Sequence, residues 1–401
     1  MLEERKINYT SILSLACYAS LAIVFLPIVD YFSPWYVTVL PFFAIIYITL
    51  YRNSIVMPLI STGITVVLLG LLCYWVIYRE SSFSNYIINF VIAFLPCVTA
   101  LQIRRTVDKK SFFEAYLTVA TIFMGITSVT TIIGLNLFPM ASRELASGTA
   151  VHDTEKYTRI NMGGYEYIYA LVIFIPILFW LIKNSQKWKK ALYITVLVLN
   201  LLCIYESQYT IALLCAIGIL FVIWMQSHKK WAIVVLIAVL LVLAVGGLSV
   251  LGEFFEWLSG IVNQEYASDR LMQLSQLFAG ESIHTETDTE RLELYMNELS
   301  AFGRSPIWGH NLVDYNVEEI SGHTFIFDTL AGAGLLGLVL VAFLVRILYA
   351  KAIGPVRKKT PGCIVSVWFA VIVVACLNPI IFPIISTIAF MCCMCIQKID
   401  T

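Results

Sequence analysis

The chain has 401 residues, of which 60% are hydrophobic and only 13% are charged, and its formal net charge is +0 at neutral pH. Soluble domains contain about half apolar and a quarter charged residues. The composition therefore excludes an ordinary soluble protein and favours a membrane protein. A balanced charge gives no reason to expect a nucleic-acid partner, and none is predicted.

Apolar runs long enough to cross a bilayer as helices recur along the chain. The alternating strands of a membrane barrel are not apparent. We therefore predict an all-α polytopic integral membrane protein of about twelve transmembrane helices. In chain order the predicted spans are 10–29, 35–51, 55–78, 84–102, 111–137, 162–183, 189–206, 209–227, 231–251, 324–349, 362–378 and 380–397.

A long loop divides these spans into two groups. Residues 1–251 hold the first nine, with a short outer segment at 138–161, and residues 324–401 hold the last three. Residues 252–323 form the predicted extracytoplasmic loop. The last two spans, split at Asn378-Pro379, could instead form one re-entrant hairpin.

Basic residues set the predicted orientation, because cytoplasmic loops carry the excess of Lys and Arg. With the N-terminus inside, 19 of the 26 basic residues fall on the cytoplasmic side by count. Both termini are then cytoplasmic, and the long loop lies outside.

Two amphipathic helices are predicted in the long loop. The first is capped by Ser268 and stops at Gly280. Its apolar face comprises Leu271, Leu274, Leu277 and Phe278. The second begins with a capping box at 287–290. Its apolar stripe comprises Leu292, Tyr295, Leu299 and Phe302.

No metal or cofactor is predicted. The outer loops lack a cluster of His, Cys and Asp at ligand spacing. All ten cysteines fall within or at the edge of predicted helices, so no disulfide framework is expected outside the membrane. The run Cys392-Cys393-Met394-Cys395 is interpreted as packing rather than as a soft-metal site.

Three residues at similar predicted depth suggest a composite outer site. They are Arg159 before the sixth span, Arg291 in the first turn of the second loop helix, and His323 before the tenth span. A guanidinium donates paired hydrogen bonds to phosphate, and a neutral imidazole accepts a proton. Such groups could stabilise a departing diphosphate and position an attacking hydroxyl.

Each of the three residues also has a plainer interpretation. Arg291 could pair with Asp288 or Glu298 on the same helix, a solvated contact of little energetic value. Arg159 could touch a lipid headgroup, and His323 could simply cap the tenth helix.

Three short motifs follow Arg291: Ser-Pro-Ile-Trp-Gly at 305–309, Ser-Gly-His-Thr at 321–324 and Gly-Leu-Leu-Gly at 334–337. An Arg that opens an amphipathic helix, then such a turn, then a His before a glycine-patterned apolar helix, resembles the C-terminal signature of the O-antigen polymerase and O-antigen ligase family. The segment Thr158-Arg159-Ile160-Asn161 is similar to the family's other outer Arg position.

One residue departs from the family pattern. Thr324 follows His323 where the family often has Asn, and Gly309-His310-Asn311 is a competing match. His323 is the preferred match because it adjoins the helix that carries the glycines.

The resemblance implies glycosyl transfer outside the bacterial cytoplasmic membrane, from a polyprenyl-diphosphate-linked oligosaccharide to a sugar hydroxyl of another lipid-linked unit. His323, Arg291 and Arg159 would be catalytic. The expected substrate-binding residues are Arg270, Arg304, Asp328 and His310. Besides the lipid bilayer, the resemblance suggests a flippase and a chain-length regulator as partners, and no cofactor.

Two other functions remain open at this stage. A ligase that moves a finished glycan to a lipid, protein or wall acceptor would carry the same motifs. A flippase or transporter would instead show inverted repeats and ionisable or broken-helix sites near the midplane. Glu166 and Asp328 are the main deep charges expected here, and polar residues concentrate outside, which favours chemistry at the interface.

Overall fold

A computed structural model of the chain describes residues 9–32, 35–53, 56–77, 82–139, 141, 144–145, 154–228, 249–262, 265–279, 286–313, 324–354 and 361–400. Within these ranges the regular elements are all helical. In chain order they are α1 (Tyr9–Phe25), α2 (Ile28–Phe32), α3 (Trp35–Asn53), α4 (Val56–Ile77), α5 (Phe83–Thr106), α6 (Lys110–Leu137), α7 (Thr154–Arg159), α8 (Tyr165–Asn184), α9 (Lys187–Glu206), α10 (Thr210–Ser227), α11 (Ser249–Ile261), α12 (Glu265–Ala279), α13 (Glu286–Arg304), α14 (His310–Val313), α15 (Phe325–Ala352), α16 (Gly362–Leu377) and α17 (Pro383–Asp400). The middle of α17, Thr387–Cys392, is π-helical.

Eight of the described helices are long and apolar enough to cross a membrane, namely α4, α5, α6, α8, α9, α10, α15 and α17. Shorter apolar helices, α1, α3 and α16, lie at the first, second and eleventh predicted spans. The predicted span 231–251 lies outside the described residues except for 249–251. The fold class, an all-α membrane protein, is confirmed, and the count of twelve spans stays a prediction.

The surface of the bundle supports membrane insertion. Large apolar side chains point outward along helix after helix, which a water-facing surface of this extent would not tolerate. Exposed examples are Met57, Ile64, Ile133, Val198, Ile217 and Val339. The centre is equally apolar, because α8 is buried on every side from Tyr167 to Leu178.

Basic side chains from distant parts of the sequence meet at one end of the bundle. Arg104 Nη1 donates to the carbonyls of Ala350 at 3.2 Å and Lys351 at 3.0 Å, near the last turn of α15. Lys398, near the end of α17, pairs with Asp108 at 3.0 Å. We call this the basic end. Helices α8, α15 and α17 therefore begin at the opposite end, here called the loop end, where α6 and α16 finish.

The loop helices differ from prediction in where they begin. Helix α12 begins at Glu265, so Ser268 is not its cap; instead Ser268 Oγ donates to the Ser259 carbonyl on α11 at 3.0 Å. Helix α11 extends the chain's helical path to Ile261, into a region expected to be loop. The rings of Phe255 and Phe278 stack at 5.6 Å between α11 and α12, so these two helices form one hairpin.

Helix α15 is broken at Gly334, which has a left-handed φ of 63°. A break frees backbone N–H groups, and in hydrocarbon each must find a partner. Here the turn before α14 supplies the acceptors. The Leu335 N–H donates to the Pro306 carbonyl at 2.9 Å, and the Leu336 N–H donates to the Ile307 carbonyl at 3.1 Å. The chain thus fills its own helix break.

Two glycines allow this contact. Gly309 has φ of 79°, and a Cβ there would lie 2.3 Å from the Ala333 nitrogen. A Cβ at Gly334 would lie 2.5 Å from the Ile307 oxygen. Both distances are far below van der Waals contact, and both neighbours are backbone. The Ser-Pro-Ile-Trp-Gly and Gly-Leu-Leu-Gly motifs are therefore two halves of one structural unit.

We expect Gly334→Ala to lower the free energy of unfolding by at least the roughly 1–3 kcal/mol of a strained left-handed residue, because its Cβ also collides with backbone. Gly218→Ala is the matched control, since a Cβ at that glycine of α10 meets nothing within 4 Å. Thermal unfolding in detergent, followed by tryptophan fluorescence, measures both. Equal melting temperatures for the two variants would contradict the backbone contact.

Candidate functional site

Helix α13 packs against the start of α15 with a face that carries both polar and apolar side chains. Of the predicted stripe, Leu299 is 53% exposed, whereas Glu298 and Ala301 are buried. The Tyr295 ring approaches Phe327 on α15, with centroids 6.2 Å apart. The helix is thus rotated so that a carboxylate, rather than a leucine, faces the bundle.

Glu298 belongs to a buried polar cluster at the first residue before α15. Thr324 Oγ1 donates to Glu298 Oε2 at 3.4 Å. The Thr324 backbone N–H donates to Asp328 Oδ2 at 3.0 Å. All three residues are at most 1% exposed. Two carboxylates therefore converge on the N-terminus of α15, where the helix dipole favours negative charge.

Asp328 has a defined structural role in this cluster. Thr324 is the N-cap of α15, but its hydroxyl makes no capping bond. Asp328, one turn into the helix, reaches back to the N-cap N–H instead, as the acid of a capping box does. Thr324 is thereby free to point its hydroxyl at Glu298.

The predicted residues nearest to this cluster lie partly outside the described structure. His323 is outside the described residues, but the chain places it directly before Thr324. Position 291 lies on described backbone of α13, seven residues before Glu298. Seven residues make almost two full helical turns, so positions 291 and 298 share one face of α13. Glu298 and Asp328 both accept hydrogen bonds from Thr324, the residue that follows position 323 in the sequence.

Three other predicted residues have separate positions. Arg304 is exposed at the end of α13, about 20 Å along the helix from position 291 at 1.5 Å per residue. Arg270 lies on the backbone of α12, and its side chain is outside the described part of the structure. His310 is buried at the start of α14, directly after the glycine that contacts the α15 backbone. Their roles in substrate binding stay predictions.

Arg159 is exposed at the end of α7, where its guanidinium lies 5.9 Å from the Tyr31 ring centroid on α2. That distance is at the limit of a cation–π contact. The described contacts join α7 to α2 and α13 to α15. A meeting of Arg159 with position 291 stays a prediction.

The structural anchor of this arginine is Asn161, which the sequence analysis did not single out. Asn161 is left-handed, with φ of 58°. Its Oδ1 accepts from the Ile28 N–H at 3.1 Å, and its Nδ2 donates to Thr127 Oγ1 at 3.1 Å and Thr130 Oγ1 at 3.0 Å. One side chain thus ties the segment after Arg159 to α2 and α6. An Asn two residues after a candidate Arg, before a Gly-Gly pair, is the signal that could have shown it.

In the part of the chain that the structure describes, no group of three or more His, Cys, Asp and Glu residues is placed to hold a metal ion. Cys392, Cys393 and Cys395 are buried in α17.

The fold and the loop end define the class: an all-α integral membrane protein with a buried carboxylate cluster where a membrane helix begins. The chain matches no protein-family model, no curated protein and no solved structure. The family resemblance therefore stays a prediction that rests on the residues quoted for it.

We expect Thr324→Val to destabilise the protein by about 1 kcal/mol, because the buried Glu298 carboxylate loses a donor. Thr324→Ser keeps the hydroxyl and is the matched control. Chemical or thermal unfolding in detergent distinguishes the two. A valine variant as stable as the serine variant would show that the Thr324–Glu298 hydrogen bond contributes nothing.

Asn161 permits a two-part test. Asn161→Gly removes the side-chain bonds, so that the half-buried Ile28 N–H loses its acceptor while the Thr127 and Thr130 hydroxyls keep the hydrogen bonds that they donate. We expect a loss of about 1–3 kcal/mol. Asn161→Ala adds about 1–2 kcal/mol of left-handed strain. Melting temperatures should therefore fall in the order wild type, glycine, alanine. An alanine variant at or above the glycine variant would contradict the strained backbone.

Proposed function

We propose that the chain is a polysaccharide polymerase, which transfers a glycan from a polyprenyl-diphosphate carrier to a sugar hydroxyl of another lipid-linked repeat unit. The observation that carries the proposal is the buried Glu298–Thr324–Asp328 cluster directly after His323. Burying two carboxylates is unfavourable unless they interact with polar or charged partners. Their convergence beside a histidine predicted to be catalytic supports a proton-handling role for this end of α15.

His323 acts as the base in this proposal. The carboxylates of Glu298 and Asp328 hold Thr324, the next residue in the sequence, and their negative charge favours the imidazolium that forms. Glu298 is then a positioning residue, which acts through the histidine.

Arg291 and Arg159 bind the diphosphate. Position 291 shares the face of α13 that carries Glu298, about 10 Å away along the helix axis. A guanidinium keeps its charge and donates paired hydrogen bonds to phosphate oxygens, which stabilises the leaving group as its charge develops.

The reaction is a single displacement at carbon. The acceptor hydroxyl oxygen attacks the anomeric carbon of the donor sugar and forms the new glycosidic bond. The bond from that carbon to the diphosphate oxygen breaks, and its electron pair leaves with the polyprenyl diphosphate. The hydroxyl proton passes to His323 and from there to solvent.

The proposal includes a location. The excess of basic residues assigns the basic end to the cytoplasm. The loop end then lies outside the cytoplasmic membrane of a bacterium, where a flippase would deliver the lipid-linked units and a chain-length regulator would act on the product.

The broken helix gives no support to the transporter alternative. Broken helices of transporters present half-helix ends to a substrate. At Gly334 the freed N–H groups are already bonded to the carbonyls of Pro306 and Ile307. Glu166 is exposed in the first turn of α8, and Asp328 caps α15. The two charges that the sequence placed deep thus belong to the loop end.

The proposal is tested by deleting the gene and restoring it as wild type or as His323→Ala, and then sizing the surface and lipid-linked glycans. Polymerase function predicts single repeat units outside and no long chains in the deletion and in the His323→Ala strain. Long chains stranded on the carrier lipid would identify the ligase instead, and repeat units trapped inside would favour the flippase.

Arg159→Ala needs a control on the same short helix. Lys156 serves, because its ammonium lies 3.9 Å from the Phe138 ring centroid and has no assigned role in the chemistry. We expect a strong loss of long chains in Arg159→Ala and wild-type chains in Lys156→Ala. Equal behaviour of the two variants would remove Arg159 from the site.

A further inference from the structure

Three tyrosine rings meet at the loop end, where α8 and α10 begin and α16 finishes. The centroids of Tyr165 and Tyr209 are 5.5 Å apart, with the rings perpendicular. Tyr169, one turn further into α8, lies 4.9 Å from Tyr165 and 6.4 Å from Tyr209. Tyr165 and Tyr209 are half-buried, and Tyr169 is buried. The outer side of the cluster is therefore accessible, whereas its deeper side, at Tyr169, is buried.

Asn378 joins this tyrosine cluster where regular helix stops. Helix α16 ends at Leu377, and the next helix begins at Pro383. The Tyr165 hydroxyl donates to Asn378 Oδ1. The other end of the amide, Nδ2, is buried and makes no hydrogen bond of normal geometry among the described residues, although the side chain also interacts with the Tyr169 hydroxyl. Asn378 is only 4% exposed.

Thr210 provides a second polar atom of the same kind. It directly follows Tyr209 at the first position of α10, and it is 7% exposed. Its Oγ1 is buried and likewise has no hydrogen-bond partner in the described part of the chain. A buried donor without a partner is expensive, and native proteins keep few of them without reason. Of the eight described side-chain atoms in this state, Asn378 Nδ2 and Thr210 Oγ1 are the two that adjoin the tyrosine cluster, and their place there points to groups that a ligand completes.

We propose that Asn378, Thr210 and the tyrosine cluster bind a sugar ring of the lipid-linked glycan. An amide donor and a hydroxyl recognise neutral hydroxyl groups, and the cluster itself contains no charged side chain. The tyrosine rings offer flat apolar faces against which the C–H face of a sugar ring packs. The choice of a sugar rests on the proposed function, whereas the unmade hydrogen bonds do not.

Asn200 gives an internal comparison. Its Nδ2 is also buried without a partner among the described residues, and its Oδ1 accepts from Ser128 Oγ at 2.9 Å. Asn200 is completely buried between helices, and none of the three tyrosine rings is among its described hydrogen-bond partners. It is therefore a matched control that removes the same kind of amide at another place.

The test measures binding of simple sugars to the full-length protein in lipid nanodiscs. Saturation-transfer NMR is recorded with the methyl glycosides of glucose, galactose, rhamnose and N-acetylglucosamine as probes, each alone. We expect saturation to pass from the wild-type protein to at least one glycoside, which shows that this glycoside binds. Asn378→Leu and Thr210→Val should each weaken its binding by about five- to tenfold, the effect of one neutral hydrogen bond. Asn200→Leu should bind like the wild type.

Both outcomes are decisive for the inference. Unchanged binding in Asn378→Leu and in Thr210→Val, or no transfer to any glycoside in the wild type, would overturn it. Elution as a single peak and an unchanged melting temperature establish that the variants are folded, and Thr210→Val serves should the asparagine variant fail this check. Sugar binding together with normal glycan chains in His323→Ala would overturn the proposed polymerase alone.

Discussion

The hydrogen bonds between the Pro306–Ile307 carbonyls and the freed N–H groups of Leu335 and Leu336 fix the arrangement of the loop end. A membrane helix cannot break unless something replaces its lost backbone bonds. Here the replacement comes from the segment that follows α13, so the break and the loop hold each other in place. The contact sets the distance between α13 and α15. That distance in turn lets Glu298 accept a hydrogen bond from Thr324, the N-cap of α15.

The loop end consequently contains several polar side chains that hold helix ends in place through hydrogen bonds. Asp328 caps α15, Glu298 accepts from the N-cap hydroxyl, and Asn161 secures the segment that carries Arg159. The opposite end holds basic side chains that bond helix carbonyls, as Arg104 does at the end of α15. The charges at the two ends of α15 thus lie in the sense that its helix dipole favours, with Asp328 in the first turn and Arg104 at the last carbonyls.

Much of this architecture follows from composition and apolar runs, because a span of about 20 apolar residues leaves the chain few alternatives. The features of the structure that the sequence did not predict depend on contacts between residues that are distant in sequence. Leu299 fits an apolar stripe, but the buried face was decided by Thr324, a residue 25 positions away. Gly334 lies inside a predicted span, and only the contact with the turn at Pro306 makes it a break. The cluster around Asn378 could not be predicted at all, because its members come from three helices and carry no shared motif.

The central claim is that glycan transfer occurs at the loop end with His323 as base. The most direct measurement reconstitutes the purified protein in lipid vesicles with a lipid-linked repeat unit, and follows released polyprenyl diphosphate and glycan length together. The account predicts one diphosphate released for each glycosidic bond formed, and neither product with His323→Ala. Movement of the lipid-linked unit across the vesicle membrane, without release or elongation, would contradict it.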